Sequence, residues 1–260
     1  MINSSETREI RRIRTGMLGL DERLGGGIPV GSTVLLISNQ EGPVRLFCQQ
    51  IAYLLGNEGH RIHYFTIVKD PAYIKEEMLV YDWDTGNLEE RGQWSFIDAY
   101  TPRVEALLQG GLGSQPMGLL RSSTARRGSR MLSSDLFVTL RRDILSQMDQ
   151  GDVVLIDSLS DLLVNYELPA VRELLEILGS QTHAKNGLVF MPVLSDIHDP
   201  KIVATVSHLS DVVAEFELES MHLEGKLRFW KMRRATLRPL LLPFSIGERG
   251  VMVETFGRVI

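Results

Sequence analysis

Apolar positions along this chain follow two spacings. Short continuous runs such as Val34-Leu35-Leu36-Ile37 and Val153-Val154-Leu155-Ile156 are separated by longer stretches in which apolar residues recur every three or four positions. The short runs are rich in β-branched residues and predict strands buried on both faces, whereas the longer stretches predict amphipathic helices. The spacing predicts strand 33–38, helix 43–57, strand 61–67, helix 71–80 and strand 94–98, then helix 135–149, strand 152–157, helix 168–182 and strand 187–193. Antiparallel strands are predicted at 211–219, 226–233, 240–246 and 251–255. Strand and helix alternate in this way from residue 31 onward, which implies an α/β fold: a mostly parallel sheet covered by helices, with antiparallel strands added at the C-terminal end.

Two segments stand outside that pattern. Residues 1–14 form a basic N-terminal arm carrying Arg8, Arg11, Arg12 and Arg14, and 15–260 reads as a single domain without internal repeats. Within it, 101–134 is the least regular part, with five glycines and many serines, and reads as a flexible loop.

Composition narrows the class. A chain of 260 residues with 43% hydrophobic and 23% charged content buries a full core without staples. Cys48 is the only cysteine, so no intrachain disulfide or cysteine-cluster metal site is available, which suits a reducing cytoplasm; it reads as a small buried residue. No apolar run approaches the roughly 20 residues of a membrane span, and no signal core precedes the domain. The expectation is a soluble cytoplasmic protein without membrane insertion. Net charge is −5, with an acidic stretch over 152–224 and a basic one over 225–239, an asymmetry suited to head-to-tail association.

The turn after the first predicted strand carries the candidate chemistry. Strand 33–38, the turn and the following helix make the frame on which G-x-x-x-x-G-K-[ST] cradles phosphates. Here the frame holds Asn39, Gln40, Glu41, Gly42, Pro43, Val44, Arg45 and Leu46. Pro43 lacks an N–H, Val44 is β-branched where glycine permits close approach, and Leu46 cannot ligate a metal. Glu41 adds negative charge where phosphates would sit. Losing three or four charge-assisted contacts removes about 5–10 kcal/mol, against about 8 kcal/mol for an entire micromolar ligand. Phosphate binding in this loop is therefore expected to be lost or very weak.

Upstream, Thr15-Gly16-Met17-Leu18-Gly19-Leu20-Asp21-Glu22-Arg23-Leu24-Gly25-Gly26-Gly27-Ile28-Pro29-Val30-Gly31 closely resembles the opening of KaiC-like proteins, members of the RecA superfamily of ring-forming ATPases. Further matches keep the order: Tyr81-Asp82-Trp83-Asp84, Phe96-Ile97-Asp98-Ala99-Tyr100, Val154-Leu155-Ile156-Asp157-Ser158-Leu159-Ser160, then Lys231-Met232-Arg233 and Pro243-Phe244. The resemblance covers residues 13–255 and implies a RecA-like fold with a degenerate phosphate loop. In that family the aspartate closing the fourth core strand helps hold magnesium, and Asp157 matches it. A Lys-x-Arg pair reaches the neighbouring subunit's ATP, and Lys231 and Arg233 match it. The two glutamates that activate water fall on Val68 and Lys69, which removes the general base, a term worth about 10²–10⁴ in rate.

The resemblance thus implies an oligomeric assembly or regulatory subunit with no catalytic residues and no cofactor. Its partners would be copies of itself, up to a hexameric ring, or an active KaiC-like paralogue. Asp157 would act as a metal ligand only if magnesium-nucleotide binds; in its other reading it pairs with Arg45 and fills the site with protein. Lys231 and Arg233 are open between a trans-acting pair and a solvated basic edge. Two alternatives remain: a divergent ATPase that still binds ATP with magnesium at a subunit interface, and a recombinase-related module binding nucleic acid through Arg121, Arg126, Arg127 and Arg130. No stacking aromatic lies among those arginines, so nucleic acid is the weaker expectation.

Overall fold

The computed structural model describes residues 10–111, 142, 148–218, 223–235 and 240–254. Eleven strands occur among them: β1 Arg12–Ile13, β2 Ile28–Pro29, β3 Ser32–Ser38, β4 Ile62–Thr66, β5 Trp94–Asp98, β6 Val153–Asp157, β7 Leu188–Leu194, β8 Val212–Leu218, β9 Glu224–Met232, β10 Leu240–Gly247 and β11 Gly250–Val253. The described helices are α1 Leu18–Arg23, α2 Glu41–Asn57, α3 Pro71–Leu79, α4 Gly86–Glu90, α5 Thr101–Gly111, α6 Leu159–Asn165, α7 Leu168–Lys185 and α8 Pro200–Leu209. Nine strands join in one sheet, in the order β11-β10-β9-β8-β3-β7-β6-β4-β5. The six from β8 to β5 run parallel, and β9, β10 and β11 extend the sheet in antiparallel fashion.

All seven residues of β3 are buried, because each face of the sheet is covered. Val34 and Leu36 point into the core shared with Phe47 and Ile51 of α2, whereas Leu35 and Ile37 join the core formed with Leu174 of α7 and Val206 of α8. A central parallel strand loses water on both sides, hence its unbroken apolar run.

The glycine-rich opening has a structural explanation. Asp21 at the start of the domain accepts from Thr15 N, Thr15 Oγ1 and Gly16 N at 2.7, 2.9 and 3.2 Å, so one buried carboxylate fixes the entering chain. Gly27 has φ of +115°, and a Cβ there would lie 2.2 Å from Ile13 O, so the β1–β2 pairing leaves no room for a side chain. That pairing also draws Arg12 and Ile13, the end of the predicted arm, into the folded body; residues 1–9 lie outside the described residues.

Strand positions match the predicted ones within a residue or two, but helices differ more. Residues 101–111, assigned to the irregular loop, form α5; 112–134 lie outside the described residues. Most of the predicted helix 135–149 does too, although Met148 and Asp149 are described and are not helical. Helices α1, α4 and α6 span six, five and seven residues, too short to display a period. Helix α8 starts where Asp199 caps Lys201 N at 2.7 Å with Pro200 in the first turn, a readable start signal that the prediction missed.

Candidate functional site

Strand β3 ends at Ser38, and only Asn39 and Gln40 precede α2. The helix therefore begins two residues before the predicted 43, and Glu41, Gly42, Pro43, Val44, Arg45 and Leu46 all belong to its first turns. Pro43 is tolerated there because a first-turn residue needs no intrahelical donor. Val44 and Leu46 are buried, 1% and 8% exposed, and both join the core on the α2 face. No side chain of Gln40 caps the helix start.

Arg45 projects from this turn toward the C-terminal end of β6. Its Nε lies 3.0 Å from Asp157 Oδ2, and its Nη2 lies 3.2 Å from Glu77 Oε2 on α3. Neither N–H points straight at its oxygen, so these are charge contacts more than aligned hydrogen bonds. Arg45 and Asp157 are nearly out of water, with side chains 10% and 5% exposed. Tyr64, on β4, the strand adjacent to β6, donates its hydroxyl to the same Oδ2 at 2.8 Å and accepts from Gln49 Nε2 at 3.3 Å. Burial, reinforced by the Asp157 charge and partly opposed by Arg45, raises the Tyr64 phenol well above its ordinary value. Burial first and Asp157 second do the same to the Cys48 thiol.

The ion pair anticipated between Arg45 and Asp157 is therefore present. Tyr64, Gln49 and Glu77 were not singled out in the sequence. Tyr64 reads there as one more apolar strand position, and Glu77 as a solvated helix carboxylate; only the register of β4 against β6 and the packing of α3 on α2 bring them to the guanidinium.

Lys69, at a position matched to the water-activating pair, holds its ammonium 4.6 Å from the Tyr73 ring centroid. Beside it, α2, α3 and the ends of β8 and β10 enclose a cleft of about 720 Å³ lined by Gln40, Pro43, Arg45, Leu46, Lys69 and Tyr73 among others.

Lys231 and Arg233 lie elsewhere. Lys231 pairs with Val213 of β8, and the three strands β8, β3 and β7 separate β9 from β6, so the two cations lie sideways across the sheet from Asp157. Lys231 Nζ donates to Ser207 O at 3.1 Å and to His208 O at 2.8 Å, and Arg233 Nη2 donates to His208 O at 3.2 Å. Both cations thus serve the carbonyl end of α8, where the helix dipole is negative. Burial and then Arg233 lower the Lys231 pKa, with Asp211 opposing. Arg121, Arg126, Arg127 and Arg130 lie outside the described residues.

No described helix is long and apolar enough to cross a membrane. Among the described residues, no group of three or more His, Cys, Asp or Glu side chains is placed to hold a metal ion.

A family model described as ATPase: KaiC matches residues 13–256. The UPF0273 protein PF1931 of Pyrococcus furiosus is 24% identical over 251 residues, covering 94% of each chain. The UPF0273 protein MJ1359 of Methanocaldococcus jannaschii is 27% identical over 247 residues, covering 94% of this chain and 96% of that protein. Among solved structures, the KaiC-like protein PH0186 of Pyrococcus horikoshii superposes with a TM-score of 0.63 at 20% identity, over 94% of this chain and 99% of that one. The flagellar accessory protein FlaH of Methanocaldococcus jannaschii gives a TM-score of 0.68 at 16% identity, over 95% and 99%. At these identities the likeness to solved structures is one of fold.

Proposed function

The chain belongs to the KaiC family of ATPases, and from that premise we propose that it is a catalytically degenerate member, acting through protein contacts as an assembly or regulatory subunit. The observation that carries the reading is the Arg45–Asp157 contact of 3.0 Å. A magnesium-nucleotide needs the strand-end carboxylate turned toward a cation, a hydroxyl beside it and a loop of free N–H groups. In this chain Asp157 Oδ2 is engaged by Arg45 and Tyr64, Leu46 is buried in the core, and Pro43 brings no N–H to the start of α2. These residues do not fit the group, and the protein's own guanidinium supplies the positive charge that the carboxylate requires.

Assembly with copies of itself or with an active paralogue accords with the separation of the acidic and basic stretches along the chain. The test is calorimetric titration with ATP and ADP, with and without magnesium, beside a mass measurement of the protein alone and mixed with an active KaiC-like partner. The expected result is no heat at micromolar nucleotide and an oligomeric mass. Micromolar binding with magnesium-dependent turnover that Asp157→Ala abolishes would overturn the reading and favour the divergent ATPase.

A further inference from the structure

We propose that the groove between α8 and the β8–β9 pair binds an extended aliphatic diamine, its two ammonium ends on Asp196 and Glu215 and its methylenes over Ile37 and Trp230. The groove shares no lining residue with the cleft beside Arg45, so this site stands whether or not the turn before α2 takes nucleotide.

The groove has a volume of about 990 Å³, at the upper end for small-molecule sites. Ile37 and Val213 line it from the sheet, and α8 supplies Pro200, Val203, Ala204 and Ser207, which share one helix face. Strand β9 adds Trp230. The register of β8 against β9 shifts between Val213 and Ala214, which leaves Trp230 as the extra residue of a bulge, a device that re-aims a side chain. The indole is fixed by its Nε1, which donates to Glu215 Oε2 at 2.7 Å, and yet Trp230 stays 59% exposed. A large ring held in a concavity and left in water marks a place where a ligand docks.

Charge and spacing select the ligand. Among the described residues neither Asp196 nor Glu215 makes an ion pair, and each carboxylate keeps one oxygen without a partner: Asp196 Oδ1 accepts from Ser195 Oγ at 3.0 Å, and Glu215 uses only Oε2. The nearby cations are engaged elsewhere. Lys231 Nζ donates to Ser207 O and His208 O, and Arg228, 4.9 Å from the Trp230 centroid, pairs with Glu217 at 2.9 Å. Burial, opposed by the Asp161 charge, lowers the His198 pKa from its usual 6.5, so that imidazole adds no charge at neutral pH. Glu215 pairs with Ile37 across β8 and β3, and Leu194, two residues before Asp196, pairs with Ser38 across β7 and β3. The strands that bring the two carboxylates therefore lie on either side of β3, two strand spacings or about 10 Å apart. A cation at each carboxylate, joined by methylenes across Ile37, matches that spacing and makes two charge-assisted contacts.

The test is calorimetric titration of the full chain at physiological salt with 1,6-hexanediamine, with the shorter 1,3-propanediamine, with hexylamine and with magnesium chloride. The expected result is saturable binding of one hexanediamine per chain, weakened about tenfold or more by Asp196→Asn and by Glu215→Gln, which keeps an acceptor for Trp230. Propanediamine, equal in charge but too short, and hexylamine, with one charge, should each bind about tenfold or more weaker than hexanediamine. Ala204→Trp, which fills the groove without changing a charge, should weaken hexanediamine as well. Glu248→Gln, at an exposed carboxylate between β10 and β11, should change nothing. Absence of binding at millimolar diamine would overturn the inference, as would binding that Asp196→Asn and Glu215→Gln leave intact. Equal affinity for the two diamines, or displacement of hexanediamine by equimolar magnesium, would overturn it too, because either marks attraction to the acidic chain as a whole.

Discussion

Arg45 Nε rests 3.0 Å from Asp157 Oδ2, joining the first turns of α2 to the end of β6 through charges almost entirely withdrawn from water. Such a pair is costly to break from one side, because the surviving charge stays buried without its counterion. It also couples two elements through a single contact, and Tyr64 and Glu77 widen the coupling to β4 and α3.

The first prediction concerns that asymmetry. Arg45→Met takes the guanidinium away from the buried Asp157 carboxylate and should lower unfolding free energy by about 3–5 kcal/mol. Adding Asp157→Asn removes the stranded charge and should recover part of the loss. Urea unfolding of the two single variants and the double variant checks this; additive losses would mean that the contact does not couple the residues.

Much of this arrangement was legible in the sequence, and the reason is physical. β3 and β6 read as strands because central parallel strands are apolar on both faces, and Asp157 and Arg45 were identifiable because each occupies a defined place in the frame of strand, turn and helix. Gln49, Glu77 and the capping use of Lys231 were not legible, since a side chain's partner depends on which elements pack together. The start of α2 at Glu41 escaped the pattern because Gly42 before Pro43 reads locally as a turn and sets the expected start at 43, whereas the burial of Val44 and Leu46 anchors the helix from Glu41.

Alkaline stability gives the second prediction. The Tyr64 and Cys48 pKa values are raised in the folded chain, so both groups keep their protons there while the unfolded chain ionises. A raised pKa contributes stability that is complete below the unfolded value and lost as pH rises, here beginning near 9.0 for the thiol and 10.0 for the phenol and continuing above them. The Cys48→Ala/Tyr64→Phe double variant should start less stable at neutral pH and fall less steeply across that window. Denaturant midpoints measured at several alkaline pH values read the difference, and parallel slopes would refute it.

Asp152 behaves in the opposite sense. Burial opposes its ionisation, but hydrogen bonds from His63 Nε2 at 2.9 Å and from Asp149 N at 2.8 Å, with the nearby His63 and Arg61 charges, outweigh it and hold the carboxyl below its usual value of 3.8. Its contribution is therefore present above that value and lost as pH falls through the lower folded one. Asp152→Asn should destabilise the protein at neutral pH and converge with wild type as pH falls well below 3.8. Unfolding free energies that differ equally at both pH values would count against this account.

Lys231 and Arg233 offer a prediction that separates two uses of one pair. Their contacts to Ser207 O and His208 O complete the C-terminal end of α8 within a single chain, and a cation at a helix terminus contributes about 0.3–1 kcal/mol. Lys231→Met should remove about 1 kcal/mol from the isolated chain, near the top of that range, because its ammonium meets two carbonyls. Arg233→Met should remove less, since its guanidinium is half exposed and lies 3.7 Å from Asp211. A pair reserved for a neighbouring subunit would leave the dilute chain's stability unchanged and lower only the mass of the assembly. Urea unfolding at concentrations below assembly, beside mass measurement above it, distinguishes these outcomes, and unchanged unfolding in both variants would sink the capping role.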